Sequence, residues 1–232
     1  MGRLFQKATL FAVAPFAVWM ALMFLLPSSN ALGYAFRTLA SAVALLAASV
    51  YFVRKSPLDM SAARCDVKSR SAGVFWGVAA GVVVAVFWVA PEYIPLYRQW
   101  CIAGDVPSPL EAQNSAYDPN VCGWALTVLR VVGSAFIIAP AEELFFRSYL
   151  YRRLQSEQWR KVDRRNFDLS AFLWTTGLFA LEHNRIVAAL MAGAFYLFIY
   201  RRFGFMSAAV AHVVTNLLLA LFVLYTGAWA FW

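Results

Sequence analysis

Residues 123–150 read GWALTVLRVVGSAFIIAPAEELFFRSYL. The stretch is mostly apolar and is longer than the roughly 20 residues that a transmembrane helix needs. Its second half nevertheless carries two glutamates and an arginine: Glu142, Glu143 and Arg147. Charged side chains are costly inside a bilayer and usually mark a functional site there. We therefore expect a membrane-spanning helix that bears part of such a site.

The composition extends this interpretation to the whole chain. Hydrophobic residues make up 62% of the 232 residues and charged residues 14%, which is more apolar surface than a soluble domain can bury. Seven apolar stretches approach the length of a span, and no polar linker divides them. The sequence predicts an all-α polytopic transmembrane helical bundle of about seven helices, one domain over residues 1–232. Six or eight helices are the alternative, because the fifth and sixth stretches are short and only the four residues 182–185 separate them. The predicted spans are residues 8–26, 32–53, 72–90, 123–150, 169–184, 186–200 and 204–225.

The net charge of +8 indicates orientation in the membrane and not nucleic-acid binding. The basic residues form short clusters beside the spans, without the interleaved aromatic residues of a nucleic-acid surface. The clusters fall on one side of successive spans, so the positive-inside rule predicts a cytoplasmic N-terminus and, with seven spans, an outside C-terminus. The first span lacks a convincing cleavage site and is expected to remain as an anchor.

The loop at 91–122 is predicted to lie outside. It is acidic and rich in proline, and it carries Cys101 and, at its far end, Cys122. A disulfide between these cysteines fits an oxidising compartment. Two unpaired cysteines near the membrane surface are the alternative.

Helical spacing assigns different surroundings to the two glutamates. Glu143 and Arg147 are four residues apart and share a helix face, which predicts an ion pair. Glu142 projects about 100° away from Glu143 and needs other groups to solvate it.

The chain's two histidines lie in two other predicted spans. His183 follows Phe179 by four residues and His212 precedes Asn216 by four, so each pair shares a helix face. One such residue alone would more often pack between helices than catalyse a reaction. Polar groups on three spans tend to meet inside a helical bundle, which favours a common site.

These residue types are suited to hydrolysis by an activated water. A glutamate beside a histidine can act as general base and then protonate a leaving amine. A second histidine and an asparagine can donate hydrogen bonds to a developing oxyanion. Zinc held by two histidines and a glutamate is the alternative, but the chain lacks an H-E-x-x-H pattern, so we expect no metal or other cofactor.

The ordered set Glu142-Glu143-x-x-x-Arg147, Phe179-x-x-x-His183 and His212-x-x-x-Asn216 resembles the three motifs of the CPBP family of CAAX proteases and bacteriocin-processing enzymes. The resemblance covers residues 123–220. It implies an intramembrane glutamic endopeptidase in which Glu142 activates the water with His183. His212 and Asn216 would line the oxyanion site, Glu143 and Arg147 would orient Glu142, and Phe179 would pack beside them.

The resemblance implies a membrane-associated protein substrate that is cut near its C-terminus. In eukaryotic relatives this would be a prenylated tail. The short chain and the possible disulfide favour a bacterial inner (plasma) membrane, where a C-terminal anchor or sorting signal is the expected substrate. A non-catalytic immunity or peptide-binding partner that uses the same cavity, and a proton-coupled transporter, are the rival hypotheses.

Overall fold

The computed structural model describes residues 2–26, 30–54, 67–101, 108–109 and 115–232, with the side chains of 2–5, 67–70 and 100–101 outside the description. No strand occurs in these ranges, and the predicted all-α class is confirmed. The helices are α1 (Gly2–Leu25), α2 (Ala31–Arg54), α3 (Val67–Val89), α4 (Pro95–Cys101), α5 (Pro119–Cys122), α6 (Trp124–Gln155), α7 (Leu169–Leu181), α8 (Ile186–Phe203) and α9 (Phe205–Thr226).

Among the described residues, six helices are long and apolar enough to cross a membrane: α1, α2, α3, α6, α8 and α9. This number is close to the predicted seven. The remaining predicted span, 169–184, contains α7, which is apolar but has only 13 residues. It begins where the Asp168 carboxylate accepts a hydrogen bond from the Ala171 N–H, and it ends at a turn over residues 182–185.

The chain divides into two compact units, each built from two separate segments. The first contains residues 1–65 and 116–163, and the second contains residues 66–115 and 164–232. The prediction of one domain over residues 1–232 stays a prediction.

In the first unit, α1 packs against α2 and against α6. The Phe16 ring of α1 stacks on Phe145 of α6 at 4.7 Å between centroids. The indole N–H of Trp159 donates to Thr9 Oγ1 at 3.0 Å, so the segment that follows α6 is fixed to α1 as well. Helix α6, which carries the two glutamates, is therefore held on one side by aromatic contacts with α1.

In the second unit, α3 packs against α8 and α9, and α7 packs against α8. Glycines at 73, 77 and 81 bring α3 very close to α9, as their four-residue spacing predicts. A Cβ at Gly77 would lie 2.6 Å from the Ser207 carbonyl oxygen, and one at Gly81 would lie 2.5 Å from that of Ala211. Helices α3 and α9 thus form a tightly joined pair.

Candidate active site

Glu142 lies in α6 between two stretches of π-helix, Gly133–Ile138 and Leu144–Leu150. The α-helical turn between them, Ala139–Glu143, includes Pro140 near its start. Short π-helical turns inside α-helices are frequent at functional sites. Glu142 itself is buried, with 8% of its surface exposed.

Glu143 and Arg147 form the ion pair that their spacing predicts. Arg147 Nη1 lies 3.1 Å from Glu143 Oε1, and both side chains are almost completely removed from solvent. The Arg147 guanidinium also lies 5.6 Å from the centre of the Phe146 ring. Each charge offsets part of the desolvation cost of the other, so Glu143 has its counter-ion on α6 itself, while Glu142 sits on another face.

His183 lies in the turn that follows α7. Its Nδ1 is 2.8 Å from the carbonyl oxygen of Phe179. A carbonyl oxygen only accepts hydrogen bonds, so Nδ1 carries a proton, and in the neutral form of the ring the lone pair lies on Nε2. The main chain thus selects the tautomer whose Nε2 can accept a proton or a hydrogen bond.

Aromatic rings connect the two histidines within the second unit. The Phe179 ring lies 4.8 Å from His183 and 5.9 Å from His212, between centroids. Tyr196 stacks on His212 at 4.6 Å with an interplanar angle of 22°. Phe179 is 1% exposed and His212 is 5% exposed, so this ring cluster is part of the core of the unit.

Hydrogen bonds fix the helix that carries His212. The Tyr196 hydroxyl donates to Thr215 Oγ1 at 2.8 Å, and Thr215 Oγ1 lies 3.0 Å from the Gly81 carbonyl oxygen of α3. Asn216 follows Thr215 directly and is half-buried. It lies one helical turn after His212, on the same face of α9. The α3 backbone and the side chains of Tyr196 and Thr215 therefore fix the position of the His212–Asn216 pair.

The predicted site residues consequently form two groups. Glu142, Glu143 and Arg147 share α6 in the first unit, while Phe179 and His183 lie close to His212 in the second. The meeting of the glutamate with the histidines stays a prediction. Within each unit, the described residues include no three His, Cys, Asp or Glu side chains grouped as a metal site requires. The metal-free site likewise stays a prediction.

Three further side chains bear on the site or on the predicted bridge: Glu182, Cys101 and Cys122. Glu182, the carboxylate beside His183, is exposed. Cys122 carries a free thiol whose Sγ lies 3.4 Å from Thr127 Oγ1, an arrangement that gives the predicted bridge no support. The side chain of Cys101 lies outside the described residues, so the bridge stays a prediction.

The sequence interpretation missed a polar stripe on α2. Tyr34, Arg37, Thr38 and Ser41 are all buried, and they recur at the three- and four-residue spacing of one helix face. The Arg37 guanidinium lies 4.8 Å from the centre of the Trp19 ring. An arginine within a predicted span was the signal that could have revealed this stripe.

A second missed feature is an acidic residue of the second unit. Glu92, just after α3, is buried and forms ion pairs with Arg98 and Arg185. Its partner Arg185 is 93 residues away in sequence, so no local spacing pattern indicates the pair.

Together, the fold and these groups define an all-helical membrane protein with a buried glutamate pair on one span and a histidine cluster on others. The family profile described as Type II CAAX prenyl endopeptidase Rce1-like matches residues 124–218, a segment that includes all three motifs. This match supports the resemblance to the CAAX protease family that the motifs predicted, and it supports a function of the CAAX endopeptidase type in general. No curated protein and no solved structure matches the chain.

Proposed function

We propose that the protein is an intramembrane glutamic endopeptidase that hydrolyses a peptide bond near the C-terminus of a membrane-associated protein. The observation that carries the proposal is the family match, because residues 124–218 include Glu142, His183, His212 and Asn216. The substrate class implied by the family is a membrane-associated protein. For this chain we propose a tail with a C-terminal anchor or sorting signal.

In this mechanism Glu142 and His183 activate the water. Glu142 removes a proton as the water attacks the scissile carbonyl carbon, and it later gives that proton to the leaving amine. The Nδ1–H of His183 donates to the Phe179 carbonyl oxygen, which supports a role for Nε2 as the acceptor that orients the water. The same ring, once protonated at Nε2, can donate to Glu142 and hold it ionised. No covalent bond forms between the protein and the substrate. One proton moves from the water to the leaving amine through the Glu142 carboxylate.

His212 and Asn216 stabilise the tetrahedral intermediate in the same mechanism. A ring N–H and a carboxamide N–H donate to the oxyanion as the carbonyl oxygen becomes charged. The stack of Tyr196 on His212 supports this role, because it limits rotation of the imidazole. Loss of one oxyanion donor typically costs about 10²–10³ in kcat.

The test compares the wild type with Glu142→Gln, each co-expressed with tagged membrane-anchored proteins from the same organism. Intact-protein mass spectrometry then reads the C-terminus of each tagged protein. We expect a loss of mass with the wild type and none with Glu142→Gln, since the amide keeps the shape of the side chain but cannot act as a base. Glu182→Gln is the matched control, because it removes an exposed carboxylate beside His183, and it should cleave normally.

Two outcomes would contradict the proposal. Cleavage that survives Glu142→Gln would remove Glu142 from the role of base. An absence of cleavage, with the same cellular phenotype in wild type and Glu142→Gln, would favour a non-catalytic immunity or peptide-binding protein instead. Including both prenylated and unmodified tails among the tagged proteins distinguishes a prenylated substrate from one that carries an anchor or sorting signal.

A further inference from the structure

Glu92 is a fully buried carboxylate on the 3-10 turn Ala90–Tyr93, which follows α3. Two arginines pair with it: Arg98 Nη1 lies 2.5 Å from Oε2, and Arg185 Nε bonds to Oε1. A carboxylate in a low-dielectric interior stays ionised only when it is paired and hydrogen-bonded. The end of α3 is therefore joined firmly to both arginines.

The two ion pairs connect Glu92 to different parts of the unit. Arg98 lies in α4, only six residues further along the same segment. Arg185 lies in the turn between α7 and α8, two residues after His183, and its guanidinium is 4.4 Å from the centre of the Phe231 ring. Of the two pairs, only the one with Arg185 links α3 to the turn that carries His183.

A second contact joins the same two places. Trp88 lies one helical turn before Glu92, and its ring is 5.4 Å from the His183 imidazole at an interplanar angle of 76°. The end of α3 thus holds the turn at His183 through an edge-to-face ring contact and at Arg185 through an ion pair.

Helix α3 can hold this turn in a fixed position because α3 is itself packed tightly against α9. Gly81 lies against the α9 backbone, and its carbonyl oxygen is 3.0 Å from Thr215 Oγ1. Thr215 stands between His212 and Asn216 in sequence. One helix therefore contacts the elements that carry both histidines.

We propose that Glu92 and Arg185 are positioning residues for His183. Their ion pair fixes the 182–185 turn on the end of α3, and the fixed turn keeps the imidazole beside Trp88 with Nδ1 on the Phe179 carbonyl oxygen. The effect on catalysis rests on the proposed function, whereas the effect on the imidazole does not. A displacement of about 1 Å at a reacting group can cost about 10²-fold in rate, so a fixed turn matters for hydrolysis.

The experiment uses the full chain in lipid nanodiscs, labelled with [15N]histidine. The chain has two histidines, and the variant His212→Gln assigns their ring signals. In the wild type we expect His183 to give the separate Nδ1 and Nε2 signals of a single tautomer. In Arg185→Gln we expect the His183 signals to move toward the tautomer average, with those of His212 unchanged.

Arg98→Gln is the matched control. Each substitution removes one cation from Glu92 and leaves the other in place, so both variants keep a paired carboxylate and should fold. Arg98→Gln should leave the His183 signals as in the wild type, and Arg185→Lys, which keeps the charge, should restore them in large part. His183 signals in folded Arg185→Gln that equal those of the wild type would overturn the inference.

If Arg185→Gln does not fold, Glu92→Gln replaces it, because the amide keeps the shape of the side chain and removes its charge. Displaced His183 signals beside unchanged His212 signals would then support the inference, and wild-type His183 signals would overturn it.

Kinetics separate this inference from the proposed function. With a cleaved substrate, Arg185→Gln should lower kcat by about 10²-fold at an unchanged KM, and Arg98→Gln should change neither. If Arg185→Gln displaces the His183 signals but the wild type cleaves no substrate, the proposed function is refuted and the positioning role stands. If Arg185→Gln keeps the wild-type His183 signals and cleaves as the wild type does, the positioning role alone is refuted.

Discussion

Arg147 and Glu143 depend on each other because neither is in contact with solvent. Substitution of Arg147 by alanine would leave the Glu143 carboxylate buried without its cation. Breaking a buried pair from one side costs about 3–5 kcal/mol. We therefore expect Arg147→Ala to lower the free energy of unfolding in detergent by this amount, and to lower activity as a consequence.

The double variant Glu143→Gln/Arg147→Gln is the control, because it removes both charges and leaves no buried carboxylate without its cation. It should be more stable than Arg147→Ala in the same denaturation experiment. An Arg147→Ala protein as stable and as active as the wild type would refute the division of roles between Glu142 and Glu143.

At the scale of single residues, local spacing predicted some contacts and could not predict others. The Glu143–Arg147 pair follows from a four-residue separation on one helix, and the structure contains it. The contacts of Glu92 with Arg185, and of Trp88 with His183, join residues more than 90 positions apart. Such pairs depend on which helices become neighbours, and no periodicity within one segment carries that information.

At the scale of helices, the glycines of α3 give a direct test of close packing. A methyl group at position 81 would lie 2.5 Å from the Ala211 carbonyl oxygen and 2.7 Å from Val214 Cβ, so α3 and α9 would have to move apart. Overpacking of this kind costs about 1–3 kcal/mol. We expect Gly81→Ala to lower the thermal stability of the protein and, because α9 carries His212, its activity.

Gly177→Ala is the matched control for this prediction. A methyl group there would have no neighbour within 4 Å, and alanine favours a helix over glycine by up to about 1 kcal/mol. This variant should unfold at the same temperature as the wild type or higher. Equal melting temperatures for Gly81→Ala and Gly177→Ala would show that the α3–α9 contact does not limit stability.

Helix boundaries were predictable from apolar length, whereas departures from regular helix were not. Hydropathy places the ends of α2, α8 and α9 within three residues, whereas α1 and α3 begin six and five residues before their predicted spans. The π-helical stretches of α6 have no comparable signal, because they arise from packing and from the alternative hydrogen bonds of the backbone. The stretch at 169–184 is already short for a span in the sequence, and in the structure its helix ends earlier still, at Leu181.

For the whole molecule, the basic clusters predict the side of each terminus. Arg201 and Arg202 end α8, and the positive-inside rule places them in the cytoplasm together with the N-terminus. Helix α9 would then cross to the outside. Reporter domains fused at the N-terminus, after Gly204 and at the C-terminus should read cytoplasmic, cytoplasmic and outside, respectively.

The position of the C-terminus also decides whether α7 crosses the membrane. Six crossings would return the C-terminus to the cytoplasm, and seven would leave it outside. A C-terminal reporter that reads cytoplasmic would therefore refute the seven-span topology and leave α7 as a helix that enters the bilayer without crossing it.

The length of α7 has a consequence for the lipid around the second unit. Its 13 residues extend over about 20 Å at 1.5 Å per residue, against a hydrocarbon core of about 30 Å. A crossing helix of this length draws the two lipid leaflets toward each other in its neighbourhood, at a modest cost for each ångström of mismatch. The acyl-chain length of the lipid would thus change the surroundings of the proposed active site. Headgroups and bulk water would lie nearer to the 182–185 turn in thin bilayers than in thick ones.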